Sequence, residues 1–165
     1  MKKLLTTLLF ATLVQITFGQ LSSTQGDPRI RKLLNELGYN KFDVITSYEN
    51  EFRIPFILDN GRKQIGFINS HTSFLGNFEI REIFSIVFIC NNIPSQNNLY
   101  QILKRNSWYQ IGAFEIILND SDKYVVRFNA KVDANLDAKG LNQILATVLK
   151  IADNLESEAG GIDDN

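Results

Sequence analysis

WYQIGAFEIILNDSDKYVVRFNAKVDANLDAKGLNQILATVLKIADNLE, residues Trp108 to Glu156, reads as two strands, a turn and the longest amphipathic helix of the chain. Tyr124, Val126, Phe128, Ala130 and Val132 alternate with Val125, Arg127, Asn129 and Lys131, so one strand face is apolar and the other mixed. In the preceding strand Phe114, Ile116 and Leu118 share a face, and the short polar residues from Asn119 to Lys123 form the turn. Folding about that turn sets Leu118 beside Tyr124 and Glu115 beside Arg127. Opposite charges placed so across two strands fix register at a gain of about a few tenths of a kcal/mol. Asp137 offers an N-cap, and Leu141, Ile144, Leu145, Val148, Ala152 and Leu155 follow at helical spacing. That stripe has to cover a sheet.

Upstream, Asp27-Pro28 is a helix start, an N-cap followed by proline at the first helical position. Ile30, Leu33, Leu34 and Leu37 make one face, and Gly38 closes a first helix over Pro28–Leu37. Strands are expected over Phe42–Tyr48, over Phe52–Leu58, with Pro55 confining it to an edge or a bulge, and over Arg62–Asn69. Asp59-Asn60-Gly61 marks the hairpin between the last two, either as a two-residue Asn60-Gly61 loop or as a three-residue loop with a bulge at Gly61. The two differ by one residue of register. Ser70 to Asn77 reads as a loop. Ile80–Ile89 reads as a central strand covered on both faces, because its apolar residues fall on both. Pro94-Ser95 opens a second helix, Gln96–Arg105, with Leu99, Ile102 and Leu103 on one side. The order α-β-β-β-(β)-α-β-β-α calls for an α+β domain, an antiparallel sheet with helices packed on it.

The chain starts Met1-Lys2-Lys3, continues with an apolar run from Leu4 to about Phe18, and reaches Thr17-Phe18-Gly19. A basic start, roughly 15 apolar-rich residues and small residues at −3 and −1 are the layout of a secretory signal peptide, cleaved after Gly19, with an alternative a few residues later near Ser22 or Ser23. The run is shorter than the roughly 20 residues of a spanning helix. The expected organisation is a leader at 1–19, a flexible mature N-terminus at 20–27, one domain at 28–158 and a disordered acidic tail at 159–165. The location is periplasmic or secreted, with no stable membrane insertion after cleavage. Net charge is −1, and loss of Lys2 and Lys3 with the leader leaves −3. Much of that excess sits after Ala152, and a near-neutral body without a basic stripe argues against nucleic acid as a partner. The single Cys90 forms no internal disulfide and reads as a small apolar strand residue.

Chemistry is sparse. His71 is the one histidine, so no second imidazole completes a metal site, and Ser70, Ser73 and Cys90 lack a nucleophile motif or a base at a recognisable spacing. Gly61 and Gly66 flank Arg62 and Lys63 without a phosphate-cradling pattern. Asp133 and Asp137 suit helix capping, and Asp120 and Asp122 lack calcium-loop spacing. The expectation is no catalytic residue, no metal and no cofactor. Twelve phenylalanines and five tyrosines supply instead a large core and some apolar surface for a partner. A cavity for a small apolar ligand or lipid, between the last helix and the aromatic sheet face, is the alternative.

The pieces LLNELGY, DNGRKQIGFINS, EIREIFSIVFI, LYQILKRNSWYQIGAFEI, YVVRFNAKVDANLDAKGLNQIL and ADNLE, in that order over residues 28–158, resemble the YbjN-like family. Its domains look like type III secretion chaperones in fold. The most specific pieces are Leu103 to Phe114, with Asn106 and the Gly112-Ala113-Phe114 step, and Ala152-Asp153 with Leu155-Glu156. The resemblance implies a homodimer-prone, non-enzymatic domain that binds an extended polypeptide along its helix and sheet surfaces. The middle helix contributes to dimerisation, which by position means Leu99, Ile102 and Leu103, with Arg127 as a further contact on the sheet. Those chaperones work in the cytosol, and the export signal sets this chain apart from them.

Overall fold

The computed structural model describes residues 26–39, 41–45, 50–59 and 61–159. The expected leader, the mature N-terminus up to residue 25, the end of the first strand at 46–48 and the tail from residue 160 lie outside the described residues. The elements are α1 (Pro28–Glu36), β1 (Asp43–Ile45), β2 (Glu51–Ile57), β3 (Lys63–Leu75), β4 (Phe78–Cys90), α2 (Gln96–Arg105), β5 (Ala113–Leu118), β6 (Tyr124–Asp133) and α3 (Ala138–Ala159). The strands form one antiparallel sheet in the order β1-β2-β3-β4-β6-β5. The α+β class and the element order follow the sequence pattern.

The caps are local. Asp27 accepts a hydrogen bond from the Arg29 amide at 2.8 Å, Ser95 from Asn98 at 3.3 Å and Asp137 from Gly140 at 2.7 Å. The β5–β6 register pairs Leu118 with Tyr124 and Glu115 with Arg127. At the β2–β3 turn the Leu58 amide bonds the Arg62 carbonyl at 2.9 Å, the Gly61 amide bonds the Leu58 carbonyl at 2.8 Å, and Gly61 has φ 79°. This is the three-residue loop with a bulge at Gly61, and it puts Phe56 opposite Gln64.

Ile30 and Leu34 from α1, Ile102 from α2, and Leu141, Leu145, Val148, Leu149, Ala152 and Leu155 from α3 share one core. It includes Phe52, Ile54, Ile68, Ile83, Val126 and Phe128 of the sheet. All three helices therefore lie on one face. The expectation that β4 is covered by structure on both faces is corrected accordingly. Phe84 points away from the helices and is buried by its neighbours on the same face. The Phe67 ring stacks on it at 5.0 Å, and the Arg127 guanidinium lies 4.3 Å from its centroid.

The second correction concerns residues 70–77. They are the far half of a long hairpin, not a loop: Thr72 pairs with Arg81, Ser73 with Ile80, Phe74 with Glu79 and Leu75 with Phe78. Register shifts between Ile68 and Thr72, so Asn69, Ser70 and His71 bulge against Glu82 alone. A bulge deprives carbonyls of ladder partners. Arg81, 1% exposed, supplies them: its Nη1 donates to the Asn69 carbonyl at 2.5 Å and to the Ser70 carbonyl at 3.0 Å, and its Nη2 pairs with the Asp27 carboxylate. The Asp27 amide donates to Ser70 Oγ at 3.1 Å. Gly26 and Asp27 are thus docked into the sheet, where the sequence suggested a mobile end at 20–27.

Arg29 extends this cluster. It donates to both Glu79 oxygens at 2.7 and 2.8 Å, to Asp27 and to Asn135 Oδ1 at 3.1 Å, while Thr72 Oγ1 donates to Glu79 at 2.8 Å. Hydrogen bonds from Arg29, then from Thr72, pull the Glu79 carboxyl from 4.5 down to about 2. Burial acts to raise Asp27, but hydrogen bonds from Arg29 and Arg81 outweigh it and leave that carboxyl below its ordinary value too. A carboxyl depressed on folding makes the unfolded chain the better proton acceptor, so its stabilisation is complete above about pH 4.5 and drains away toward pH 2. Melting temperature is expected to fall steeply across that interval. Glu79→Gln should flatten the fall, and equal slopes for the two proteins would refute the assignment.

Candidate partner surface

β4 ends at Cys90, which pairs with Tyr124, and Tyr124 in turn pairs with Leu118. The chain therefore enters α2 at the Leu118 end of the sheet. It leaves α2 at Asn106, whose side chain accepts from the Phe114 amide at 2.7 Å and donates to the Phe114 carbonyl at 3.1 Å. So α2 runs the length of β5, the last strand of the sheet. Asn106 serves as a one-residue strand, taking the outward backbone groups of Phe114. By the two-residue alternation of an antiparallel ladder, the backbone groups of Ile116 and Leu118 also point outward. Among the described residues nothing pairs with them, and they form an open edge.

The path into β5 is fixed at Gly112. Its φ is 70°, and a Cβ there would sit 2.5 Å from the Asn129 carbonyl oxygen, so the backbone passes where a side chain has no room. Tyr109, Phe114 and Phe128 then pack edge to face with centroids 5.0 to 5.8 Å apart. α2 is held to α3 by Arg105, which donates to Glu158 through both terminal nitrogens. These hydrogen bonds hold the Glu158 carboxyl below, and the Arg105 guanidinium above, their ordinary values.

The residues proposed from sequence part company here. Ile102 is 5% exposed and belongs to the core, Leu99 is half-buried, and Leu103 is 64% exposed. Arg127 stands on the open face of the sheet, paired with Glu115 and 3.8 Å from Glu82, away from the helices. Leu103 is joined instead by Tyr100 on the same helix, by Trp108 just after it, and by Leu118 on the helix side of β5, all exposed. Sequence reasoning read the helical stripe as one face. The signal it missed is the offset pair Tyr100 and Leu103 at i, i+3, which lies to one side of Ile102 and leads to Trp108.

Other candidates are accounted for. His71 is exposed on the bulge, and its ring makes no hydrogen bond or ion pair among the described residues. Ser70 Oγ is engaged by Asp27, and Cys90 Sγ donates to the Tyr124 carbonyl at 3.7 Å. Among the described residues no three His, Cys, Asp or Glu side chains converge as metal ligands, and no helix is long and apolar enough to cross a membrane. The helix–sheet interface that an apolar-ligand carrier would have to open is filled. Leu145, Leu149 and Ala152 are fully buried, and a Cβ on Gly66 would lie 2.6 Å from Leu145. A recess of about 500 Å³ lies beside α3, at its outer flank, lined by Phe56, Leu58, Asn142, Leu149 and Asp153. Arg62 closes on Asp153 at 2.8 Å and on Glu156 at 3.5 Å, clamping the β2–β3 turn to α3.

No family model matches the chain, and no curated protein matches it. Among solved structures it is similar to the Yersinia pestis type III secretion chaperone SycH in complex with a stable fragment of YscM2. The TM-score is 0.43 at 14% identity, over 78% of this chain and 98% of that one.

Proposed function

We propose that this chain is an exported, non-catalytic protein-binding domain of the adaptor or chaperone-like kind, and that it self-associates as a homodimer through α2 and β5. The observation that carries the reading is the run of exposed Tyr100, Leu103 and Trp108 beside a strand edge with outward backbone groups. An edge strand is self-complementary: antiparallel pairing of two β5 strands about a two-fold axis satisfies both edges and brings the two α2 faces together. Tryptophan and tyrosine are the side chains that most often anchor such contacts. Export rests on the basic–apolar–small pattern of residues 1–19.

Sedimentation equilibrium of the chain from producing cells tests the assembly, and the intact mass of the same preparation reads cleavage after Gly19. The wild type is expected to be a dimer. Leu103→Asp with Trp108→Ser should raise its dissociation constant at least about 100-fold, with an unchanged melting temperature at dilutions where both proteins are monomeric, because both side chains are exposed in the single chain. A wild-type monomer at all concentrations, or a double variant that assembles normally, would sink the proposal.

A further inference from the structure

The end of the β3–β4 hairpin runs past its neighbours. β2 stops where Glu51 pairs with Asn69, and β6 stops where Asp133 pairs with Ile80, so among the described residues Phe74 to Phe78 extend beyond the sheet on both sides. The sequence there is Phe74-Leu75-Gly76-Asn77-Phe78, with Gly76 at φ 61° in the turn. Phe74, Leu75 and Phe78 are 71%, 68% and 72% exposed. Residues directly opposite in a ladder share a face. Phe74 pairs with Glu79, which bonds α1, so Phe74 is on the helix side; Leu75 pairs with Phe78 on the other. The tip is apolar on both faces.

A flat protein surface covers one face of a ribbon. Apolar side chains on both faces of a projecting tip suit a medium that surrounds it. We propose that this tip is a peripheral membrane wedge, inserting Phe74, Leu75 and Phe78 into the interfacial layer of a lipid bilayer.

Three further observations support a lipid surface. The arm is stiff at its base, where Arg81 fills the bulge and Arg29 and Thr72 hold Glu79. Thr72 to Ile80 contain no lysine or arginine, and the one carboxylate among them, Glu79, is already paired with Arg29. The tip thus carries no unpaired charge into the interface, and attraction is apolar instead of depending on anionic lipid. The chain also enters the fold at this end, since Asp27 is bonded to Ser70 at the foot of the arm. The nine residues from Phe18 to Gly26, eight peptide steps, reach at most about 29 Å. An apolar leader engaged in the membrane during export, before cleavage after Gly19, would therefore bring this end to the same bilayer first.

The test uses the full chain as purified from producing cells, with Trp108→Phe and Phe78→Trp, so that the tip carries the one tryptophan. Neutral phosphatidylcholine vesicles brominated near the headgroup are the probe. The tip emission is expected to shift to the blue and to be quenched, equally in low and high salt. Phe74→Ser/Leu75→Ser/Phe78→Ser should lower vesicle partitioning at least about tenfold and leave the melting temperature unchanged. The proposal is overturned if the tip tryptophan stays water-like while vesicles are present, or if the triple variant partitions as the parent does. It is overturned equally if a co-purifying polypeptide, and not lipid, shields the tip. None of these outcomes depends on whether β5 and α2 form a dimer, so the two proposals fail separately.

Discussion

Arg81→Met is expected to destabilise the domain by about 3–5 kcal/mol, the cost of leaving two buried carbonyls without donors and a buried carboxylate with one of its two arginines gone. Arg81 is buried to 1% exposure, and its Nη1 and Nη2 serve the Asn69 and Ser70 carbonyls and the Asp27 carboxylate. Burial acts to lower its pKa, against the opposing pull of Asp27, so the charge is held at some cost and only by its partners. Methionine fills much of the same volume but donates nothing. Two bulge carbonyls are then orphaned in a place water reaches poorly, and the Asp27 carboxylate is left with Arg29 as its only cation among the described residues. For a domain of this size the loss corresponds to a fall of about 10–20 °C in melting temperature, read by far-ultraviolet circular dichroism at neutral pH. Arg81→Met with Asp27→Asn should recover part of it, because the carboxylate that has lost one of its two arginines is neutralised and only the carbonyls still lack donors. A single-variant loss below about 1 kcal/mol would show that water or a local shift replaces the guanidinium, and that the cluster does not hold α1 to the sheet.

What the sequence displayed and what it hid differ by range. Periodicity and capping are local, so α2 at Gln96–Arg105, the Asp27-Pro28 start of α1 and the Glu115–Arg127 register could be read directly. The bulge at Asn69–His71 breaks the two-residue alternation, and past it His71-Thr72-Ser73 looks like turn chemistry, so this strand has the sequence of a loop. Arg81 sits in EIREIFSIVFI as an ordinary polar position. Its burial depends on Asp27, 54 residues away, which no local pattern announces. The pieces that seemed most distinctive prove to be structural: Asn106 completes β5, Gly112 allows a close backbone approach, and Asp153 with Glu156 holds Arg62. That leaves the exposed residues to carry function. Exposure depends on which side of a helix meets the core, and in α2 the turn of a single residue separates Ile102 from Leu103.

The order of the partner surface rests on a residue that no partner touches. Phe128 is fully buried in β6, with its ring 5.0 Å from Phe114 and 5.1 Å from Tyr109. Phe114 belongs to the edge strand that Asn106 holds, and Tyr109 belongs to the connection that follows Trp108. Truncation to alanine removes the ring on which both lean. Phe128→Ala is expected to cost about 3–5 kcal/mol, transfer and cavity terms together. The cavity opens under β5 and not under α1, so the loosening should be local before it is global. Amide hydrogen exchange should rise first at Phe114 to Leu118 and in α2, while Ile68 and Ile83 keep their protection. Phe128→Leu keeps part of the volume and should cost clearly less. Uniform loss of protection over the whole sheet would mean that β5 and α2 do not form a separable unit. The surface proposed for the dimer would then be as firm as the core behind it. Selective loss would place that surface on the least stable part of the fold, where association itself supplies the missing order.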